Sequence, residues 1–375
     1  MQRDRDSRAG PLREQAVPPA RDLALLATGM GLAAGAVSVA LSQSRPIWKD
    51  EAWTIAFSTQ PWDELVRRTT SEMDAVHASY YLLMRWVIST FGADPGTVRL
   101  PSALFMGLAC AAVVLIAAEW GSFRLAVLAG AAFLCLPITA RYGTEARGYA
   151  MATALAAWST WLFARQSRGQ RPRASLVVAY TVVLALTGYA FLYAWLIAVP
   201  HLVTTLASRD ARRRWKTVVV AQACSLLLLA PLVVLAVRQR DQIGFLGRGL
   251  RATYLVQVGA LPWGHGSGAA TLAAAAFCWA LIAWASVRLW QARDPAPGTR
   301  RLLVLAWTWA LLPGLALIGI SIWTPAFTSR YVVFCAPAVA LLLALAVDGI
   351  RSRLAAIVVG ALVVILALAA YPAQF

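Results

Sequence analysis

The sequence predicts an all-α protein, a polytopic transmembrane helical bundle of about eleven spans with interfacial helices in its first extracytoplasmic loop. Three observations predict it. Of 375 residues, 60% are hydrophobic and only 14% charged, with a mean hydropathy of +0.64; a soluble domain carries far more charge on its surface. Apolar runs approaching the ~20 residues that cross a bilayer recur along the chain. The basic residues fall between those runs, clustered on alternate connections. The net charge of +17 would otherwise raise the question of nucleic acid; its placement between apolar runs argues for topology, and no nucleic-acid partner is expected. Lysine occurs only at Lys49 and Lys216, and this preference for arginine fits a GC-rich bacterial genome, hence a bacterial plasma membrane.

The elements follow in order. Residues 1–22 are polar and basic, with Arg3, Arg5, Arg8, Arg13 and Arg21, and read as a disordered cytoplasmic tail without signal-peptide layout. The first span is 23–41, and a long polar segment, 42–78, follows. The stretch 79–91 decides the topology, because it is apolar but short and has Arg85 at its centre. If it spans, the most basic loops fall outside. If it lies in the interface, the spans are 100–118, 125–140, 148–164, 174–187, 189–207, 217–237, 268–290, 302–322, 331–347 and 354–371. The inside loops then carry Arg165, Arg168, Arg171 and Arg173; Arg209, Arg212, Arg213, Arg214 and Lys216; Arg288, Arg293, Arg300 and Arg301; and Arg351 with Arg353. The positive-inside rule selects this second arrangement, with the N-terminus in the cytoplasm. Residues 51–68 form a second amphipathic segment, with Trp53, Phe57, Trp62 and Leu65 toward lipid and Asp63, Glu64, Arg67 and Arg68 toward water. Residues 174–207 read as a tight helical hairpin turning near Gly188. Residues 23–375 form one transmembrane domain. The five cysteines, Cys110, Cys135, Cys224, Cys278 and Cys335, lie in apolar runs without paired spacing and read as small buried hydrophobes.

One group departs from the charge rule. Arg238, Arg240, Arg248 and Arg251 fall in a loop assigned to the outside. Either a span is misplaced, or these arginines serve an anionic ligand.

This topology gathers the unusual polar residues on one face. Asp50 and Glu51 follow the first span in WKDEAWT, His77 opens HASYY, and Arg141, Glu145 and Arg147 lie in RYGTEARGYA. His265 sits in PWGHGSG, and Arg330 and Tyr331 open a late span in TSRYVV. Charged groups at the membrane are costly and either pair or serve function. A carboxylate can take a proton from an attacking hydroxyl, and arginines can hold a phosphate through charge-assisted bonds. No Walker loop, HExxH or GxSxG is present. A lipid-linked phosphate donor suits this face, because the membrane delivers it. Trp53 and Trp263 are candidates for stacking on sugar. No metal ligand set is evident, although a carboxylate pair could hold one divalent cation.

Asp50-Glu51 after the first span, the His77/Tyr80-Tyr81 segment, RLPSAL at 99–104, YGTEARGYA at 142–150 and the RY pair at 330–331 together resemble the GT-C superfamily of membrane glycosyltransferases. The resemblance is to its family 39 group, which includes protein O-mannosyltransferases and lipid A aminoarabinose transferases. It covers the module 23–165; residues 166–375 match as a more variable helical scaffold plus RY. The chain has HASYY where the family has an HPPL-like segment, and no sizeable soluble C-terminal domain. The resemblance implies a polyprenyl-phosphate sugar donor and a glycan, lipid or protein acceptor approaching from outside. It implies transfer with inversion, Asp50 as catalytic base, Glu51 as its neighbour and Glu145 as a second acid. Arg330 and Arg147, with Tyr331, Arg238 and Arg240, would hold the donor phosphate, and His77, Tyr81 and His265 would contact acceptor or sugar. Two other readings are a transporter or flippase of a lipid-linked sugar, for which ionisable residues near the midplane would be expected, and a scaffold without catalysis.

Overall fold

The computed structural model describes residues 19–43, 45–167, 173–246, 249–251, 253–264, 268–292 and 297–371. Residues 1–18 of the expected tail, Arg168, Arg171, Arg248, His265 and Arg293 lie outside them. The described residues are helical, with no strand among them.

The first helix, α1, spans Ala20–Ser42. It crosses α5 (Pro95–Trp120) at Gly31 and Gly107, where a Cβ on Gly107 would meet the Gly31 carbonyl oxygen at 2.6 Å. Small residues thus bring the two backbones together, as helix association in lipid favours. Between them lie α2 (Lys49–Ser58), α3 (Trp62–Arg67) and α4 (Ala78–Phe91). Helix α4 is too short to cross a bilayer, and its Arg85 bonds to the carbonyl oxygens of Ser58 and Gln60. The arginine thereby fastens α4 to the end of α2. The expected lipid face of α2 and α3 is half right. Trp53 and Trp62 are exposed, whereas Phe57 and Leu65 are buried and pack on Tyr81, because α4 covers that side.

The expected span 125–140 is broken into α6 (Phe123–Cys135) and α7 (Pro137–Gly143), bent by 63°. Pro137 has no N–H, and it holds Leu136 in an extended conformation. The irregular backbone is tolerated because it is buried in protein: α7 is almost wholly buried, and Ile138 N–H donates to the Pro262 carbonyl at 3.3 Å. Helix α8 is Tyr149–Gln166. Near Gly188, as expected for the hairpin, α9 (Ala174–Ala190) ends, and the chain leaves it at Phe191, which is extended. Gly188 faces Leu229, whose Cδ2 would lie 2.4 Å from an added Cβ. A short 3₁₀ turn, Leu192–Ile197, leads into α10 (Ala198–Ala207).

Helices α11 (Arg209–Arg212), α12 (Trp215–Arg238), α13 (Thr253–Ala260), α14 (Ala269–Gln291) and α15 (Pro297–Ile320) follow. A 3₁₀ segment, Ser329–Cys335, precedes α16 (Ala336–Asp348), and α17 is Arg353–Ala370. Among the described residues, 7 helices could by length and composition each cross a membrane, or up to 8 with the bent pair. The remaining expected spans are α8, α9 and the Leu192–Ala207 stretch, which are shorter or less apolar. Helices α5, α8 and α16 form the centre of the bundle, while α12 and α17 present large apolar side chains outward. Cys224, on α12, is exposed and Cys135 half-buried, while Cys110, Cys278 and Cys335 are buried as expected.

Candidate active site

Helix α2 begins immediately after the α1–α2 linker and carries Asp50 and Glu51 in its first turn, where the helix dipole favours negative charge. Adjacent residues on a helix point about 100° apart, so the two carboxylates meet different surroundings.

Glu51 turns inward and is fully buried. Arg99, from the start of α5, donates Nε–H to its Oε1 at 2.8 Å and a terminal N–H to its Oε2 at 2.6 Å. The remaining guanidinium hydrogens go to the carbonyl oxygens of Ser42, Arg45 and Pro46, at 2.8–2.9 Å. Glu51 also accepts from Ala146 N–H at 2.9 Å and from Trp48 N–H at 3.3 Å. This buried pair ties the α1–α2 linker, α2, α5 and the 144–148 turn into one unit. Its satisfied donors are the condition under which a buried ion pair is tolerated. Sequence reasoning assigned Arg99 no role; its signal was an arginine near the head of an apolar helix, which needs a partner.

Asp50 turns the other way. It accepts from Arg330 at 2.7 Å, across 280 positions of chain, with both side chains partly exposed. Arg330 stands on the 3₁₀ segment before α16, and Tyr331 beside it packs between Phe191 and Tyr193.

Arg147 comes from the turn between α7 and α8. Its guanidinium is buried, yet its contacts are long: 3.4 Å to Thr54 Oγ1 and 3.4 Å to His77 Nε2. Its Nε–H has no hydrogen-bond partner. Because arginine only donates, His77 Nε2 must accept, which places the ring's proton on Nδ1. Burial, then the charges of Arg147 and Arg330, hold the His77 pKa well below its ordinary value. Tyr81 is fully buried; its hydroxyl donates to Asp74 at 3.1 Å, and Trp53 Nε1–H donates to the same carboxylate at 2.8 Å. Asp74 has a φ of 62°, a left-handed conformation that aspartate tolerates. It braces the loop bearing His77, a role the sequence did not signal.

On the far side of Glu51 lies a cavity of about 380 Å³, lined by Arg45, Trp48, Arg99, Arg141, Thr144 and Glu145 among others. Glu145 is buried and Arg141 lies 3.3 Å from it. Burial lifts its pKa to about 7 against the pull of Arg141, with Glu51 adding to the rise.

Arg238 and Arg240 are exposed. The residues between and beyond them dock on the first loop: Gln239 bonds Thr69 O and Ala75 N, and Gln242 bonds Glu72 O and Asp74 N, at 2.9–3.0 Å. The loop therefore joins the face that carries Asp50, but no contact between these arginines and the Asp50–Arg330 pair is observed. Trp263 is fully buried and so cannot stack on a sugar; Trp53 remains partly exposed. With both oxygens held by Arg99, Glu51 does not converge with Asp50 on one cation. Among the described residues no cluster of three or more His, Cys, Asp or Glu is placed to hold a metal.

No family model and no curated protein matches the chain in sequence. Solved structures match in fold. ArnT from Cupriavidus metallidurans bound to undecaprenyl phosphate superposes with a TM-score of 0.62 at 16% identity, over 92% of this chain and 63% of that one. The archaeal oligosaccharyltransferase AglB from Archaeoglobus fulgidus, in complex with an inhibitory peptide and a dolichol-phosphate, gives 0.59 at 15% identity, over 93% of this chain and 55% of that one. The chain thus spans less than two thirds of the length of these proteins. At such identities the likeness speaks of architecture, and the architecture is that of a multi-pass membrane protein with the GT-C fold.

Proposed function

We propose that the protein transfers a sugar from a polyprenyl-phosphate donor to an acceptor hydroxyl at the extracytoplasmic face of a bacterial membrane, with inversion. Asp50 removes the proton from the acceptor hydroxyl as its oxygen attacks the anomeric carbon. The bond from that carbon to the phosphate oxygen breaks, and polyprenyl phosphate leaves as an anion. Arg330 and Arg147 hold the charge that develops on it. His77 and Tyr331 line the donor side, Glu145 orients the turn bearing Arg147, and Glu51 and Tyr81 position the loops. Arg238 and Arg240 serve as outer contacts for donor or acceptor.

The observation that carries this reading is the 2.7 Å contact between Asp50 and Arg330, beside a buried Arg147 whose Nε–H has no hydrogen-bond partner. A phosphate arriving there competes with Asp50 for Arg330 and frees the carboxylate to act as a base. The test is incubation of purified protein with a panel of polyprenyl-phosphate sugars and hydroxyl acceptors, followed by mass spectrometry. Transfer by the native protein and none by Asp50→Asn is expected. Undiminished transfer by Asp50→Asn overturns the assignment, and passage of lipid-linked sugar across a proteoliposome without covalent transfer overturns the enzyme reading.

A further inference from the structure

We propose that the cleft between α14 and α15, remote in sequence from the catalytic loops, binds an anionic glycerophospholipid. The cleft has a volume of about 430 Å³ and is walled by Val287, Trp290, Leu303, Val304 and Trp307 together with Ser286 and Thr308. Its wall is dry in character because its hydroxyls are already engaged. Ser286 accepts from Trp307 Nε1–H at 2.9 Å and donates to Ile282 O at 2.7 Å; Thr308 donates to Val304 O at 2.8 Å. Such a surface, with Gln291 at one end as its remaining polar side chain, offers water few partners and suits hydrocarbon. The space is well above the ~150 Å³ that admits a benzene-sized apolar guest.

Charge selects the headgroup. Arg288 lies over the Trp284 ring at 5.5 Å and Arg300 over the Trp290 ring at 5.9 Å, and both arginines are exposed at the same end of the cleft as Trp290 and Gln291. Each indole holds its guanidinium near the rim by cation–π attraction. The surroundings have the same sign. Arg301 donates to Ser208 Oγ at 2.8 Å, and Arg214 donates to the Gln166 carbonyl oxygen. These bonds bring the basic stretch Arg212, Arg213, Arg214 and Lys216 to this end of the bundle. Basic pockets between spans at a membrane surface recruit anionic headgroups. The acyl chain would lie along Val287, Val304 and Trp307, with the phosphate between Arg288 and Arg300.

The full chain, purified in mild detergent, is titrated by native mass spectrometry with phosphatidylglycerol and with phosphatidylcholine of the same acyl chains. The first phosphatidylglycerol is expected to bind at a roughly ten- to thirty-fold lower concentration than phosphatidylcholine. The double variant Arg288→Gln, Arg300→Gln should lose that preference, and Val304→Phe, which fills the cleft, should weaken retention of both lipids. Equal occupancy by the two lipids in the native protein overturns the proposal. So does a preference that survives the double variant, retention unaffected by Val304→Phe, or displacement of the glycerophospholipid by polyisoprenyl phosphate.

Discussion

Replacing Glu51 with Gln separates two roles that adjacent carboxylates could play. Glu51 is fully buried and Arg99 nearly so, with bonds of 2.8 and 2.6 Å between them. The variant keeps an acceptor for Ala146 N–H but leaves the Arg99 charge uncompensated inside the bundle. Breaking one side of a buried ion pair costs about 3–5 kcal/mol. By contrast, Asp50 and Arg330 are 24% and 30% exposed, and a partly exposed, solvent-screened pair of this kind contributes about 1 kcal/mol. Thermal unfolding of the purified proteins in one detergent should therefore show a large drop for Glu51→Gln and little change for Asp50→Asn. Sugar transfer should show the reverse order of specificity, with Asp50→Asn folded but inactive. A Glu51→Gln protein with native thermal stability and no turnover would refute this reasoning, since Glu51 would then act on substrate rather than on Arg99.

Three further outcomes follow from the same geometry. Glu145 has a pKa raised by burial from 4.5 to about 7, so the folded protein binds more protons than the unfolded chain between those values. Stability attributable to this group falls as pH rises through that window, by about 3 kcal/mol in all; Glu145→Gln should flatten that part of a plot of thermal midpoint against pH. Arg330→Ala should raise the donor KM at least tenfold, since a charge-assisted bond contributes about 1.5–3 kcal/mol; an unchanged donor KM in steady-state transfer assays argues against phosphate binding there. Gly107→Ala places a methyl group 2.6 Å from the Gly31 carbonyl oxygen and should destabilise the α1–α5 crossing by about 1–3 kcal/mol, seen as a lower thermal midpoint.

The all-helical membrane class and the helical segments were legible because membrane insertion is decided locally: each run must satisfy its own backbone and its own hydropathy. The short α4 with Arg85 at its centre was legible for the same reason. Asp50 and Arg330, named from the sequence, do meet, and Arg147 and His77 do adjoin. What local reading missed was partner choice. Nothing in WKDEAWT says which of two neighbouring acids turns inward, or that Arg99 rather than a substrate receives Glu51.

By itself, then, the sequence determined the all-helical membrane class, the placement of its apolar helices and the set of ionisable residues at their ends. Hydropathy and charge are properties of short stretches, and they survive without knowledge of neighbours. Pro137 marks the bend at Leu136 in the chain itself, whereas only the tertiary structure decided the burial of Trp263 and the separate fates of Asp50 and Glu51. The fates of the two carboxylates each depend on a contact with a distant segment, Arg330 for Asp50 and Arg99 for Glu51. A long-range partner carries no periodic signature in the chain; its identity emerges when the helices pack.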